Sequence, residues 1–417
     1  MIWFRQAGPW SLLLVTCVLA LLSGCATAPT EYREPPPLGA AERSAHNLSV
    51  LRRTEELVNK KYFDPKFRDV NWPAMCARHE AEIAAATDEE ALYQALNRLC
   101  AELKESHLNA IPPRRAHEYS TEHRASVGFR WEPVDGQRVV ADIIPDSPAA
   151  SAGVQPGWLV LSRNGKPLQE KDPYYPKLGQ TVTYGFLDAR DQPRTITMEP
   201  QLVNFERMET RELSDGILYL RFDVFSYRSL HWLSEQLKSH ARAPGVVVDL
   251  RNNHGGNLLA LDVALAEFFP EMISAGHLIR RSGSTRENLS LPWLSAHYSG
   301  RVVILADHFT ASAAEIFSHV MQQHRRATII GRRTAGAVIV SRDYPLPGGG
   351  RLQVPVTDYV GNDGQRLEGR GVTPDLVRPA LTLAELRGRK DPDLAEAVQS
   401  LESAPAPAAG VFKILNW

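Results

Sequence analysis

Two short runs, GVVVDL at 245–250 and RVVILAD at 301–307, constrain this chain more than any other feature. Each is apolar at successive positions rather than alternate ones, the pattern of a strand covered on both faces, as in a parallel sheet. Each is followed by a loop and a helical pattern: RNNHGGN then LLALDVALAEFF, and HFTAS then AAEIFSH. GILYLRFDVF reads as a strand pair ahead of the helix SLHWLSEQLKSH, and ATIIG as the strand after the second helix. Strand–helix–strand alternation predicts an α/β core with a mostly parallel sheet and right-handed crossovers. Ligands of such sheets sit outside the carboxyl ends of the strands. A site is therefore expected at the loops RNNHGGN and HFTAS.

Upstream, the patterns change twice. AHNLSVLRRTEELVNKKYF and DEEALYQALNRLCAELKESHL carry apolar residues at helical spacing, and IPPRR, where paired prolines forbid helix, closes this segment. From about Ala125, alternating apolar runs are separated by DG, DSP, PG and NG turns, which predicts a small β-domain. The resulting division is 44–115 helical, 120–203 β, 204–390 α/β core and 391–417 a helical, then Ala/Pro-rich, tail.

The first residues follow another logic. MIWFRQAGPWSLLLVTCVLALLSGC pairs an early arginine with an apolar run too short for a ~20-residue membrane span. Leu22-Ser23-Gly24-Cys25 resembles the bacterial lipobox. That resemblance implies a signal peptide over 1–24, a lipid on Cys25, a tether over 25–43 and a periplasmic, outer-membrane address, since Ala26 follows the cysteine. An uncleaved signal anchor, or ordinary cleavage after an Ala-x-Ala site, is the alternative. Cys76 and Cys100 would then remain, as a disulfide or as two buried thiols. Two cysteines without histidine spacing make no metal site, and no cofactor motif is present. A formal net charge of -1 leaves no basic excess for a nucleic-acid partner.

In the β segment, Val127-Gly128-Phe129, SPA-x-x-AGV, PG and NG come in an order that resembles a PDZ domain. Such a domain captures a peptide C-terminus as an added strand, and the VGF loop, Val127, Gly128 and Phe129, would bind the carboxylate. Trp158 departs from that pattern, which usually has Asp there.

Ser312 stands at the second strand-to-helix junction, where helix N–H groups and the positive dipole end face a developing oxyanion. An N-cap serine is the bland alternative. A serine nucleophile needs a base, and local ones fail: His319 is seven residues on, about 10 Å along a helix.

The helical segment, the PDZ-like insert, DLRNNHGG, TASAAEIF, IIGRRTAG and EGRGVTPD, in that order, resemble the C-terminal processing (tail-specific) peptidase family. The resemblance implies a crotonase-like β-spiral core with Ser312 as nucleophile. One branch of the family pairs the serine with a lysine in T-x-G-K-G, but this chain has Thr334-Ala335-Gly336-Ala337-Val338, so Ala337 excludes that dyad. A second branch, similar to the tricorn core, uses Ser-His-Glu. Leu103-Lys104-Glu105-Ser106-His107 matches its L-x-(D/E)-SH context, and Glu368 precedes the matching turn Gly369-Arg370-Gly371-Val372-Thr373-Pro374-Asp375. The resemblance thus implies His107 as base, Glu368 on its other nitrogen, and Ser106 as an auxiliary serine. Asp363 competes for the third role.

The oxyanion donors expected are Ala313 N–H and a glycine of RNNHGGN, where Gly255 or Gly256 allows close approach and Gly255 matches the family position. The resulting expectation is a lipid-anchored periplasmic serine endopeptidase acting on polypeptides. The alternatives are a catalytically silent peptide- or ligand-binding lipoprotein adaptor, or an esterase with the same triad.

Overall fold

A computed structural model describes residues 32–168, 176–295 and 297–403. The expected signal peptide, Cys25, the start of the tether and the last residues of the tail lie outside these.

The core sheet has six strands in the order Met208–Glu212, Leu218–Phe222, Gly245–Asp249, Arg301–Ala306, Thr328–Gly331, Leu376–Val377. The first pair is antiparallel and the other four pairings are parallel. The continuous apolar runs now have a physical cause. Val246, Val248, Val302 and Ile304 face one core with the helices Leu258–Ala266 and Ala313–Gln323. Val247, Val303 and Leu305 face another, covered by Ala397 and Leu401 of the helix Pro392–Ser403. Both parities are buried, so neither face can be polar. GILYLRFDVF forms one strand, not two: after Phe222 the chain leaves the sheet, and Phe225 makes an isolated bridge to Gly256.

A second, antiparallel sheet joins the ends of the chain. The strand Arg351–Val360 pairs with Ser274–Arg280, with Ile339–Pro345 and with the short strand Asn109–Ile111, Ala110 opposite Leu352. The helices Ala40–Lys61, Trp72–Ala84 and Glu89–Ala101 close over that edge, and Leu346, Leu352 and Val354 belong to their core. Cys76 and Cys100 are buried free thiols of this core, and burial pushes both up to about 12.

The paired prolines act differently from the sequence expectation. Pro112 and Pro113 end the preceding strand but open a helix, Pro113–Thr121. A proline in the first turn loses no intrahelical bond and brings a preset φ.

The strands Phe129–Val134, Gln137–Ile143, Leu159–Arg163, Lys166–Pro167, Val182–Leu187 and Pro193–Met198 form a six-stranded antiparallel sheet with its own core, including Val140, Val160, Tyr184 and Phe186. Trp158 packs edge-on against Phe186, so the residue that departs from the PDZ pattern fills this core. The chain enters and leaves through one two-stranded ribbon, His123–Ser126 against Gln201–Asn204.

Phe317, fully buried on the helix behind Ser312, lies 5.7 Å between ring centroids from both Phe225 and Phe268. Phe317→Ala is expected to cost about 3–5 kcal/mol of stability, read as a lowered urea midpoint with an unchanged slope.

Candidate active site

The two loops at the carboxyl ends of Gly245–Asp249 and Arg301–Ala306 are tied to each other. Asp307 Oδ1 accepts from the N–H groups of Phe309 (2.9 Å), Thr310 (3.1 Å) and, across the gap, Asn252 (3.2 Å). The Thr310 hydroxyl donates to the carbonyl of Leu250 (2.9 Å), and Ala311 N–H to that of Asn253 (2.9 Å). Between these ties the chain turns sharply at Ser312, with φ 55° and ψ −120°. A non-glycine residue there stores about 1–3 kcal/mol of strain, which persists only when the surroundings over-determine it.

The determinant is Glu315, one turn into the helix and fully buried. Its carboxylate accepts from Ser312 N–H (3.1 Å), Thr334 Oγ1–H (2.5 Å), Gly336 N–H (2.7 Å) and Ala337 N–H (2.8 Å). Burial pushes its pKa up, while these donors hold it down. Ser312 N–H also reaches the carbonyl of Ala337 (2.9 Å). Ser312 occupies the N-cap position of its helix, and the Glu315 carboxylate returns to its N–H, as in a capping box. Ser-x-x-Glu at 312–315 is the spacing of a capping box, a signal that could have exposed Glu315 in the sequence.

Ser106, His107 and Glu368 come together from positions more than 250 residues apart. Ser106 Oγ meets His107 Nδ1 at 2.7 Å, and Ser106 N–H donates to Glu368 Oε1 at 3.1 Å. Glu368 Oε2 accepts from Val338 N–H at 2.6 Å. The expectation that Glu368 bonds the imidazole directly is therefore corrected. Both of its oxygens hold backbone N–H groups, and the Ser106 hydroxyl takes the ring nitrogen instead. Burial lowers the pKa of His107, and the charge of Glu368 opposes that shift. Asp363 is elsewhere, paired with His319 at 3.6 Å.

Glu105, unassigned from the sequence, is buried and locks the turn before Ser106. It accepts from Tyr62 Oη–H (2.9 Å) and pairs with Arg68 Nε (2.8 Å).

Gly255 has φ +89°, and a Cβ there would lie 2.5 Å from Ser312 Cβ and 2.8 Å from Ala313 N. Its own N–H donates to Asn253 Oδ1 (2.9 Å), within the loop. Among the described residues, the N–H groups of Ala313 and Gly256 have no acceptor. Gly128 N–H of the Val127–Phe129 loop is likewise engaged, by Ser126 Oγ at 3.0 Å.

A serine held at a helix N-terminus beside close-packed loop glycines is the geometry of an acyl-transfer hydrolase. Residues 216–378 match Peptidase family S41, and residues 49–101 match the Tricorn protease C1 domain. The chain is 25% identical over 401 residues to a carboxyl-terminal-processing protease of Synechocystis sp., covering 89% of this chain and 92% of that one. A second such protease, from Picosynechococcus sp., is 26% identical over 90% of each chain. The solved structure of a photosystem II D1 C-terminal processing protease superposes with TM-score 0.57 at 21% identity, over 87% of this chain and 99% of that one. The core is thus a family S41 peptidase domain, preceded by a tricorn-type C1 segment. The chain is a serine-type peptidase.

Gly255→Ala should force Ser312 aside. Since a displacement of about 1 Å costs on the order of 100-fold in rate, kcat/KM for peptide cleavage is expected to fall at least that far with an unchanged far-UV circular dichroism spectrum.

Proposed function

We propose that the chain is an endopeptidase in which Ser312 is the nucleophile and His107 its general base, with Glu368 acting through Ser106. The observation that carries this reading is an unbroken bonded path. It runs from His107 to Ser106, to Glu368, to Val338, and through the adjacent Ala337 to Ser312. With the proton on Nδ1 directed at Ser106 Oγ, Nε2 is left as the basic nitrogen. Ser312 Oγ attacks the scissile carbonyl carbon and passes its proton to His107. The tetrahedral oxyanion is met by Ala313 N–H and by the Gly255–Gly256 loop. If Asn253 releases Gly255 N–H, Gly255 supplies the second donor; otherwise Gly256 does. Collapse expels the amine, which takes its proton from His107, and water, activated by the same base, hydrolyses the acyl-enzyme.

The substrates are polypeptides, read from the names of the relatives and from the β-domain, whose PDZ-like loop order suits recognition of chain ends. The lipobox-like Leu22–Cys25 supports a periplasmic protein tethered to the outer membrane by a lipid on Cys25. On this reading Cys25→Ala moves the chain from the membrane to the soluble fraction; an unchanged distribution would refute the anchor.

The test of the mechanism compares the intact protein with Ser312→Ala and His107→Ala on unfolded casein, with cleavage sites read by mass spectrometry. Each variant is expected to lose about 10⁴-fold or more in kcat/KM. The pH profile adds a sign. A base with lowered pKa stays neutral as pH falls, so activity is lost through a midpoint below the usual ~6.5. Glu368→Gln removes the charge that raises that pKa and moves the midpoint lower still. An acidic limb above ~6.5, or one that rises in Glu368→Gln, would exclude His107 as the base.

A further inference from the structure

Three core strands are each followed closely by an arginine, and the three arginines meet at the start of the helix Pro392–Ser403. Arg251 lies just past Gly245–Asp249, Arg332 past Thr328–Gly331, and Arg378 past Leu376–Val377. Arg251 donates to both oxygens of Asp391 (2.9 and 2.7 Å) and pairs with Asp393 at 3.5 Å. Arg332 is bonded to Asp393 as well, and Arg378 Nε lies 3.8 Å from it. The loops that carry these arginines build the site. Arg251 opens the loop of Asn253, Gly255 and Gly256, Arg332 precedes the Thr334–Ala337 segment held by Glu315, and Arg378 lies past the turn that follows Glu368.

Charge pairing alone does not account for the fork between Arg251 and Asp391. Arg251 already has a carboxylate partner in the buried Asp249, through Nε (2.9 Å) and Nη2 (2.6 Å), and Asp249 also accepts from Tyr219 Oη–H (2.8 Å). The Asp391 side chain is 35% exposed and could be solvated on its own. What the second fork adds is direction, because two carboxylates on one planar guanidinium fix its orientation from both sides. The next residue, Asn252, holds φ +68°, a left-handed conformation that persists only when its surroundings over-determine it. Asp307 supplies one tie, at Asn252 N–H (3.2 Å), and Arg251 supplies the other. Beyond this turn, Asn253 Oδ1 holds Gly255 N–H, and Gly255 packs on Ser312.

We propose that Asp391 is a positioning residue for the peptidase reaction, setting the Asn253–Gly256 oxyanion loop through Arg251. This rests on the endopeptidase reading and extends it to a helix that no catalytic motif includes. The Asp391 carboxylate bonds Arg251 and, as the cap of its own helix, Leu394 N–H (3.0 Å). It acts on the reaction only through the first of these, by fixing where the second oxyanion donor stands.

The two bonds can be separated. Asn caps a helix as well as Asp does, so Asp391→Asn keeps the helix end, removes the charge and turns one of two acceptors into a donor facing a guanidinium. The test measures kcat and KM of the full-length protein, Asp391→Asn, Asp391→Glu and Glu396→Gln on a fluorogenic peptide built from a mapped casein cleavage site, with a thermal melt of each. A misplaced oxyanion donor is felt in the transition state, so Asp391→Asn is expected to lower kcat about 10- to 100-fold at unchanged KM. Its melting temperature should stay within a few degrees, because the cap is kept and a partly exposed pair adds little. Asp391→Glu, which restores the charge, should recover part of kcat. Glu396→Gln removes another pair of the same helix, to Arg378 (3.3 Å), and should leave kcat as it is. An unchanged kcat in Asp391→Asn overturns the proposal. So does an equal loss in Glu396→Gln, which would make docking of the helix the cause, or a loss matched by a smaller folded fraction. If the unmodified protein cuts no peptide, the endopeptidase reading fails on its own. Amide hydrogen exchange over residues 250–257 then decides the role of Asp391: faster exchange in Asp391→Asn upholds it, and identical exchange refutes it.

Discussion

The carboxylate of Glu315 sits where donors from two chain segments converge, and the shape of the whole site follows from that convergence. It holds the strained turn at Ser312 from one side and the Thr334–Ala337 loop from the other. A charge buried this deeply is tolerated only when its oxygens are saturated with donors. The arrangement is therefore cooperative: each donor segment is fixed by the same group that it satisfies. Val338, one residue beyond the clamp, reaches Glu368, so the clamp extends to the histidine.

The second requirement is to bring a residue from the N-terminal helices to a sheet built from the other half of the chain. Backbone pairing does this. Asn109–Ile111 adds itself to the edge of Arg351–Val360, and Asn97 brackets Ala110 through its N–H (2.7 Å) and its carbonyl (2.9 Å). The helical core and the strand also share Leu352 and Val354. His107, two residues before the paired strand, is thus placed by a ladder and by Glu105 rather than by its own loop.

How much of this was legible in the sequence depends on how local each cause is. The parallel sheet was readable because burial of both strand faces leaves its mark residue by residue in GVVVDL and RVVILAD. The Ser312 junction was readable because a strand, a short loop and a helix are consecutive. His107 and Glu368 could be singled out only through their resemblance to a family, since no periodicity relates positions 261 residues apart. The interposed Ser106 hydroxyl on Nδ1 was invisible for the same reason, as each of its partners is set by a different segment. The pair Pro112-Pro113 misled because proline forbids the helix interior and favours its first turn, and the sequence does not say which position a residue occupies.

The ribbon of His123–Ser126 against Gln201–Asn204 gives the β-domain an unusual status. Its entry and exit lie on adjacent strands, about 4.8 Å apart, so the rest of the chain would need almost no spanning segment to continue without it. An insertion of this kind can be lost, duplicated or exchanged over evolution without disturbing the strand ladders that build the peptidase core. On the proposed reading, in which that domain recruits chain ends, recognition and chemistry are carried on separate cassettes, and new targets follow from replacing one module while the turn at Ser312 stays as it is.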